Sequence, residues 1–357
     1  MRVAVLGVGL IGGSIGLAAK DSVEDVEVVG FGRSPERLEH ARELGAIDRA
    51  AGSLAEALDG AAVCFCCAPV GVLEEQIAAA LAVAGDDCVV TDVGSTKGGV
   101  VDAAADRRFV GGHPIAGAET AGVEHARADL FQGATWYLTP TSDTSGVLFE
   151  RLHRFVAALG ARPVAIDAES HDRLLATVSH LPHVLANALV TQTAGALGEE
   201  DAALPRVGPS FRDATRVAGA NSAIWTDIYV ANREAIAAEV DVVVERLREA
   251  AELLRRGEPD AITEWNERAA DARRRLLETD LAGDVVHELR TTVPNRPGIV
   301  AEVALALGKA GVNIVDMALA PAPDMQSGAI TLWIAGDAEA DRARELIDDL
   351  GFPVAEA

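Results

Sequence analysis

The chain has 357 residues, more than one hydrophobic core organises and enough for two or three compact domains. Its 55 acidic side chains outnumber 31 basic ones, and the formal net charge of −24 argues against nucleic acid or an anionic membrane as a partner. Met1 leads directly into the strand-like run Arg2-Val3-Ala4-Val5-Leu6 rather than a secretory leader, and no apolar stretch is read as reaching the ~20 residues of a membrane span, so a soluble, cytoplasmic protein is expected.

Lysine is reduced to Lys20, Lys97 and Lys309. An acidic, lysine-poor surface suits a salt-rich cytoplasm, the preferred reading, although a GC-rich genome in an ordinary cell produces a similar bias. Residues 1–166 alternate short apolar runs with amphipathic helical stretches. Strands are expected at Val3–Leu6, Val26–Phe31, Val63–Cys67, Cys88–Asp92, Phe109–Gly111, Thr135–Leu138 and Pro163–Ile166. Strand–helix alternation with near-continuous apolar strands predicts an α/β, Rossmann-type, doubly wound parallel sheet.

The first strand runs into Gly7-Val8-Gly9-Leu10-Ile11-Gly12, a GxGxxG motif opening a helix to Lys20. Gly7 permits the tight turn, Gly9 lets backbone approach a pyrophosphate, and Gly12 lets the helix pack on the strand. The amides around Leu10 and Ile11 supply donors at the positive end of the helix dipole. The second strand ends in Gly32-Arg33-Ser34, without the acid that grips the ribose 2′-hydroxyl in NAD enzymes. Arg33 and Ser34 suit a 2′-phosphate and favour NADP over NAD, while Ser34-Pro35-Glu36 also reads as an ordinary helix N-cap with Pro at the first position. Cys64, Cys66, Cys67 and Cys88 read as small core residues in a reducing compartment, and no metal site is expected.

Further motifs follow in order: Thr91-Asp92-Val93-Gly94-Ser95-Thr96-Lys97-Gly98, then Gly111-Gly112-His113-Pro114-Ile115-Ala116-Gly117-Ala118-Glu119, continued by Asp129-Leu130-Phe131 and Trp136-Tyr137-Leu138-Thr139-Pro140. A third set comprises Ser179-His180-Leu181-Pro182-His183, Phe211-Arg212-Asp213-Ala214-Thr215-Arg216 and Trp225. Together with the glycine fingerprint, these motifs resemble the prephenate/arogenate dehydrogenase family across residues 1 to about 260. The resemblance implies oxidative decarboxylation of prephenate to 4-hydroxyphenylpyruvate with hydride transfer to NAD(P), within tyrosine biosynthesis. His113 would accept the ring-hydroxyl proton, an imidazole with an unperturbed pKa of about 6.5 suiting that task. Ser95 would orient His113 or the substrate hydroxyl, and Arg216 would pair with a substrate carboxylate. His183 would hold the side-chain end, with Glu119 and Asp213 in a polar network at the entrance. Two departures, Gly208-Pro209-Ser210 in place of a glycine run and Ala214 in place of an aromatic, bear on prephenate against arogenate, and His183 favours prephenate.

Other residues draw plainer readings. His171 is assigned no chemistry, His180 packs in the core, and Trp225 packs. Lys97 touches cofactor phosphate or is solvated, and Asp92 caps or braces a loop.

From residue 167 to 283 the β signal disappears. Tyr229, Ile236, Val243 and Ala250 mark a helical stripe, with Val240, Leu247 and Leu254 at the same seven-residue step, closed by Arg255-Arg256, Gly257 and Pro259. So long an apolar stripe needs a partner, and a homodimer is expected. Residues 284–357 return to α+β character: strand Val286–Val293, turn, helix Ile299–Gly308, strands Asn313–Leu319 and Ala329–Ala335, helix Asp341–Leu350. Asn295-Arg296-Pro297-Gly298 with Asn313 resembles the ACT regulatory domain, which implies a small ferredoxin-like fold binding an amino acid, with tyrosine the natural effector. Two other functions compete with this reading. A dinucleotide or amino-acid sensor without turnover predicts a damaged catalytic set, whereas Ser95, His113 and Arg216 are all present. A 3-hydroxyacid dehydrogenase requires a lysine that is missing between Lys97 and Lys309.

Overall fold

The computed structural model describes residues 1–117, 120–197, 207–279, 286–294, 296, 299–312, 314–321 and 327–356. They fall into two compact units, Met1–Glu245 and Arg246–Ala357.

The first unit is built on an eight-stranded sheet. Its strands are β1 (Arg2–Leu6), β2 (Glu27–Phe31), β3 (Arg49–Ala50), β4 (Val63–Cys66), β5 (Val89–Asp92), β6 (Phe109–Pro114), β7 (Thr135–Thr139) and β8 (Arg162–Ala165), in the order β3-β2-β1-β4-β5-β6-β7-β8. The first six run parallel in the doubly wound order that creates a ligand crevice at the carboxyl ends of the strands. The wholly parallel sheet expected from the sequence is corrected at β7, which pairs antiparallel to β6, with β8 parallel to β7. No apolar pattern distinguishes the two directions, because His113–Tyr137 and its neighbours bury both faces either way. The two-residue β3 was too short to leave a pattern.

Alternation along the strands feeds two cores, one on each face. Val3, Val5, Val63, Phe65, Trp136 and Leu138 pack with α1 (Leu10–Ser22) and α6 (Gly146–Ala158). Ala4, Leu6, Cys64 and Cys66 pack with α3 (Leu54–Leu58) and α4 (Val70–Val83). Each large apolar side chain so buried contributes roughly 1.5–3 kcal/mol, and the two layers hold the strand ends fixed. Helices α2 (Pro35–Glu43) and α5 (Gly98–Ala104) complete the wrapping.

After β8 the chain turns helical. Asp167 caps α7 (Ala168–Leu175) by accepting the Ser170 N–H at 2.8 Å. A π-helical turn, Ala176–His180, joins α7 to α8 (Leu181–Leu197). The resulting rod, Ala168–Ala196, is long and apolar enough by composition to cross a membrane, which corrects the expectation that no stretch reaches that length; 28% of its apolar window is buried in this chain. Then follow α9 (Pro209–Thr215), a 3₁₀ turn at Arg216–Gly219, and α10 (Ser222–Ala231). The expected single stripe from Tyr229 is broken at Asn232, after which α11 (Arg233–Arg256) begins. Asn232 leaves the helical conformation and buries its amide against His180 and the Asp172 backbone.

In the second unit, α11 stops at Gly257 (φ 65°), a left-handed position that a glycine adopts without strain, and Pro259 opens α12 (Pro259–Thr279). Strands β9 (Val286–Pro294), β10 (Ile314–Pro321), β11 (Ser327–Ala335) and β12 (Val354–Glu356) form an antiparallel sheet, order β10-β11-β9-β12. Helices α13 (Ile299–Lys309) and α14 (Asp337–Asp349) interleave with them in a βαββαβ sequence around Leu289, Val303, Leu307, Leu332 and Ile347. The guanidinium of Arg273 on α12 stands 5.4 Å from the ring centre of Trp333 on β11.

Candidate active site

The β1–α1 turn has the shape a dinucleotide pyrophosphate requires. Gly7 adopts φ 105° and donates its N–H to the Phe31 carbonyl at 2.9 Å. A Cβ at Gly12 would stand 2.2 Å from the Gly7 carbonyl oxygen, whereas a Cβ at Gly9 would meet nothing within 4 Å. Gly12 is therefore needed for helix–strand contact and Gly9 leaves open space where a ligand approaches, while Leu10 and Ile11 start α1. At the end of β2, Ser34 accepts the Arg37 N–H at 3.2 Å and donates to the Glu36 carboxylate at 2.8 Å. It serves α2 as a cap, so of the pair read as 2′-phosphate ligands Arg33 is the exposed one.

The loop after β5 is braced from inside. Asp92 accepts the Gly94 N–H at 2.8 Å and the Gly112 N–H at 3.0 Å, and pairs with the Lys97 ammonium. Lys97 and Asp92 are both wholly buried, which corrects the reading of Lys97 as a phosphate contact or a solvated cation. Burial pushes the Lys97 ammonium below its usual range, against the opposing pull of Asp92 and Asp172. A lysine five residues after an aspartate reaches back to it when the intervening chain is a tight loop, which the sequence did not reveal.

His113 lies near the carboxyl end of β6 and is buried. Its Nδ1 is 2.9 Å from Nε2 of His171 on α7, and His171 Nδ1 is 2.8 Å from the Asp172 carboxylate. Burial drives the His113 imidazole well below its ordinary range, with His171, Lys97 and His180 adding to the effect. The carboxylate of Asp172 also accepts the Lys97 N–H and the Gly98 N–H, each at 2.8 Å. Burial works to raise the Asp172 pKa, but the hydrogen bonds from His171, Gly98 and Lys97 outweigh it and hold the group below the carboxylate norm. Ser95 is half-buried and makes no hydrogen bond to His113. The hydrogen-bond partner of His113 is His171, a residue for which the sequence suggests no chemistry. The available signal was the dipeptide His171-Asp172, an imidazole beside an acid at a helix start.

From Asp172 a continuous set of contacts leads into the helical part. Asn232 donates to the Asp172 carbonyl at 2.8 Å and lies 3.2 Å from His180 Nδ1. Burial lowers His180 to about 4, with Asp172 pulling the other way. His180 meets the edge of Trp225, and His183 stacks on the same indole at 3.4 Å between ring centres. His183 is lowered by burial and by the nearby Arg216 guanidinium on the 3₁₀ turn. Arg216, like Asp213 on α9, is exposed. His113 and His183 are therefore linked through one set of contacting side chains, with the exposed Arg216 within electrostatic reach of His183, and Trp225 packs as expected. Glu119 lies outside the described residues, as do Asn295, Pro297, Gly298 and Asn313. Arg296 is exposed, with its guanidinium 2.5 Å from the Glu302 carboxylate.

Comparison with known proteins agrees with this site. Residues 15–165 match the model for the prephenate dehydrogenase nucleotide-binding domain, and residues 167–267 match that for the prephenate dehydrogenase dimerization domain. A prephenate dehydrogenase from Bacillus subtilis (strain 168) is 30% identical over 356 residues, covering 97% of this chain and 95% of its own. The crystal structure of Aquifex aeolicus prephenate dehydrogenase, in complex with hydroxyphenyl propionate and NAD+, superposes with a TM-score of 0.72 at 30% identity, covering 77% of this chain and 98% of that one. Synechocystis arogenate dehydrogenase follows with a TM-score of 0.68 at 27% identity, covering 77% and 99%. With a glycine turn shaped for a dinucleotide, a buried imidazole near the carboxyl end of β6 in the same sheet, and both halves matched in order, the chain belongs to the prephenate dehydrogenase family.

Proposed function

We propose that the chain is an NAD(P)-dependent prephenate dehydrogenase of tyrosine biosynthesis, converting prephenate to 4-hydroxyphenylpyruvate with loss of carbon dioxide. The observation that carries this reading is the His113 imidazole: buried, neutral near pH 7, one nitrogen occupied by His171, in a chain of this family. A nicotinamide dinucleotide held through its pyrophosphate at the β1–α1 turn would supply the hydride acceptor. His113 takes the proton of the ring 4-hydroxyl at Nε2 as the carbon–hydrogen bond breaks, and aromatisation of the ring drives departure of the carboxylate as carbon dioxide. Ser95 contacts the same hydroxyl. Arg216 grips a substrate carboxylate in bidentate fashion and His183 holds the side-chain end, with Glu119 and Asp213 at the entrance.

NADP is preferred over NAD because no acid replaces Arg33, although Ser34 is engaged as a cap and Glu36 stands beside it. The exposed apolar side chains Leu185, Leu189, Leu247 and Leu254 support a homodimer through the helical region. The βαββαβ unit from β9 onward supports a ferredoxin-like, ACT-type regulatory domain binding tyrosine through 295–298 and Asn313. Domain limits of 1–166, 167–283 and 284–357 and a cytoplasmic location complete the reading. Given prephenate with NADP or NAD, the purified protein is expected to form reduced nucleotide and carbon dioxide in equal amounts. Turnover of arogenate instead would replace the substrate, and silence with both substrates and both nucleotides would end the proposal.

A further inference from the structure

The geometry points to a positioning role for His171 and Asp172: together they fix which nitrogen of His113 carries hydrogen, so that Nε2 is left as the free lone pair facing the substrate. The inference rests on the reading of His113 as the proton acceptor. It begins at Asp172, whose Oδ1 accepts from the Lys97 N–H and whose Oδ2 accepts from the Gly98 N–H, both at 2.8 Å. A carboxylate held by two backbone donors is ionised and can only accept, so the hydrogen between Asp172 and His171, 2.8 Å apart, belongs to His171 Nδ1. In a neutral imidazole the second nitrogen is then an acceptor. His171 Nε2 accordingly receives a hydrogen bond from His113 Nδ1 across 2.9 Å, and His113 is held as its Nδ1–H tautomer.

The ring planes are fixed as well as the hydrogens. His113 and His171 meet edge-on with centroids 5.1 Å apart, and Tyr137 on β7, the neighbour of His113 across the sheet, also meets His171 edge-on at 5.6 Å. The Asn232 amide holds the Asp172 backbone from α10's end. When His113 takes a proton at Nε2, its Nδ1–H becomes a stronger donor into the same chain, and the positive charge is spread toward an anion that no longer has to be ordered. The proton stays between the substrate oxygen and His113, and neither His171 nor Asp172 touches the reacting atoms. The carboxylate's two amide bonds come from the loop that also carries Ser95, so one anion sets the register of both candidate catalytic side chains.

The test uses the full-length protein with His171→Gln, His171→Ala, Asp172→Asn and His113→Asn. Side-chain nitrogen NMR of histidine-labelled protein reads the tautomer, with the His113 signals identified by their loss in His113→Asn. Wild-type His113 is expected with hydrogen on Nδ1. In Asp172→Asn the amide oxygen keeps the Oδ1 position, where the Lys97 N–H and His171 Nδ1–H both donate, and the NH2 is turned against the Gly98 N–H. The anion and one backbone bond are lost, so the hold on the Nδ1–H tautomer weakens and an Nε2–H fraction of His113 is expected to appear. The variant's kcat is expected to fall by roughly 10²–10⁴-fold with KM and nucleotide Kd little changed. His171→Ala should fall comparably, while His171→Gln, which offers an amide oxygen near the site of Nε2, should recover a large part. Thermal melts identify any variant that loses activity by unfolding, in which case the Gln-against-Ala contrast decides. An Nε2–H tautomer in the wild type overturns the inference. So does near-wild-type kcat in the His171 and Asp172 variants while His113→Asn is inactive, and that result leaves the acceptor reading intact. Turnover surviving in His113→Asn overturns both.

Discussion

Asp92 and Lys97 form an ion pair with no solvent on either side chain, and Asp92 also holds the amides of Gly94 and Gly112. Removing the cation leaves a buried carboxylate whose remaining donors are two amides. Lys97→Met is therefore expected to cost about 3–5 kcal/mol, read as a fall in the denaturant midpoint at constant slope. An unchanged midpoint would mean the pair is dispensable to the β5–β6 scaffold. The histidines give a pH dependence. His113, faced by His171, Lys97 and His180, is held below the ordinary imidazole range, first by burial. His180, faced by Asp172, His171 and His183, lies at about 4, and His183, beside Arg216, is also lowered. The unfolded chain binds these protons at about pH 6.5, so between there and about pH 4 it binds more than the folded protein. Stability is thus fully present above about 6.5 and declines as the pH falls through that window. Asp172, lowered in the fold, adds its own loss at still lower pH, below the usual carboxylate range. Thermal melts from pH 8 to 4 should show a plateau followed by this decline, and a flat profile would contradict the burial of these rings.

At the scale of elements, the glycine turn separates binding from folding. Gly9→Ala meets no heavy atom within 4 Å and should melt like the wild type while raising the dinucleotide Kd by about tenfold or more, some 1.4 kcal/mol. Gly12→Ala drives its methyl to 2.2 Å from the Gly7 carbonyl, so it should lose stability and nucleotide binding together. Titration of nucleotide fluorescence alongside melting distinguishes the two. The strands of both sheets other than the short β3 and β12, and the helix stop at Gly257, were legible because they depend on local pattern: apolar alternation, β-branched runs, and glycine where φ is positive. The reversal of β7 was not, since strand direction depends on the path of residues 115–134 around the sheet. The break at Asn232 was not either, because a seven-residue stripe continues across it on both sides while the amide's partners lie 52 and 60 residues away.

For the whole molecule, a net charge of −24 makes self-repulsion a cost of the compact state. Added potassium chloride should raise the melting temperature as screening strengthens, with most of the gain by the salt level at which the Debye length falls to a few ångströms, about 1 M. A melting temperature that falls or stays level would favour genomic composition over adaptation to salt as the origin of the acidic surface. Sedimentation at twice the chain mass would support the apolar faces of α8 and α11 as a subunit contact, and a monomer at micromolar concentration would remove it. Tyrosine should inhibit the full chain and leave a form lacking residues 284–357 unaffected; equal inhibition of both would place the effector elsewhere. The sequence by itself determined the dinucleotide turn, the family, His113 and the order of α/β, helical and α+β segments. Each of these is written in residues close together, where backbone sterics and side-chain periodicity act. Only the tertiary structure decided that His171, 58 positions from His113, is its hydrogen-bond partner, and that Lys97 is buried on Asp92. Those relations come from packing α7 and the β5–α5 loop against the carboxyl edge of the sheet, a matter of where chains meet rather than how each is patterned.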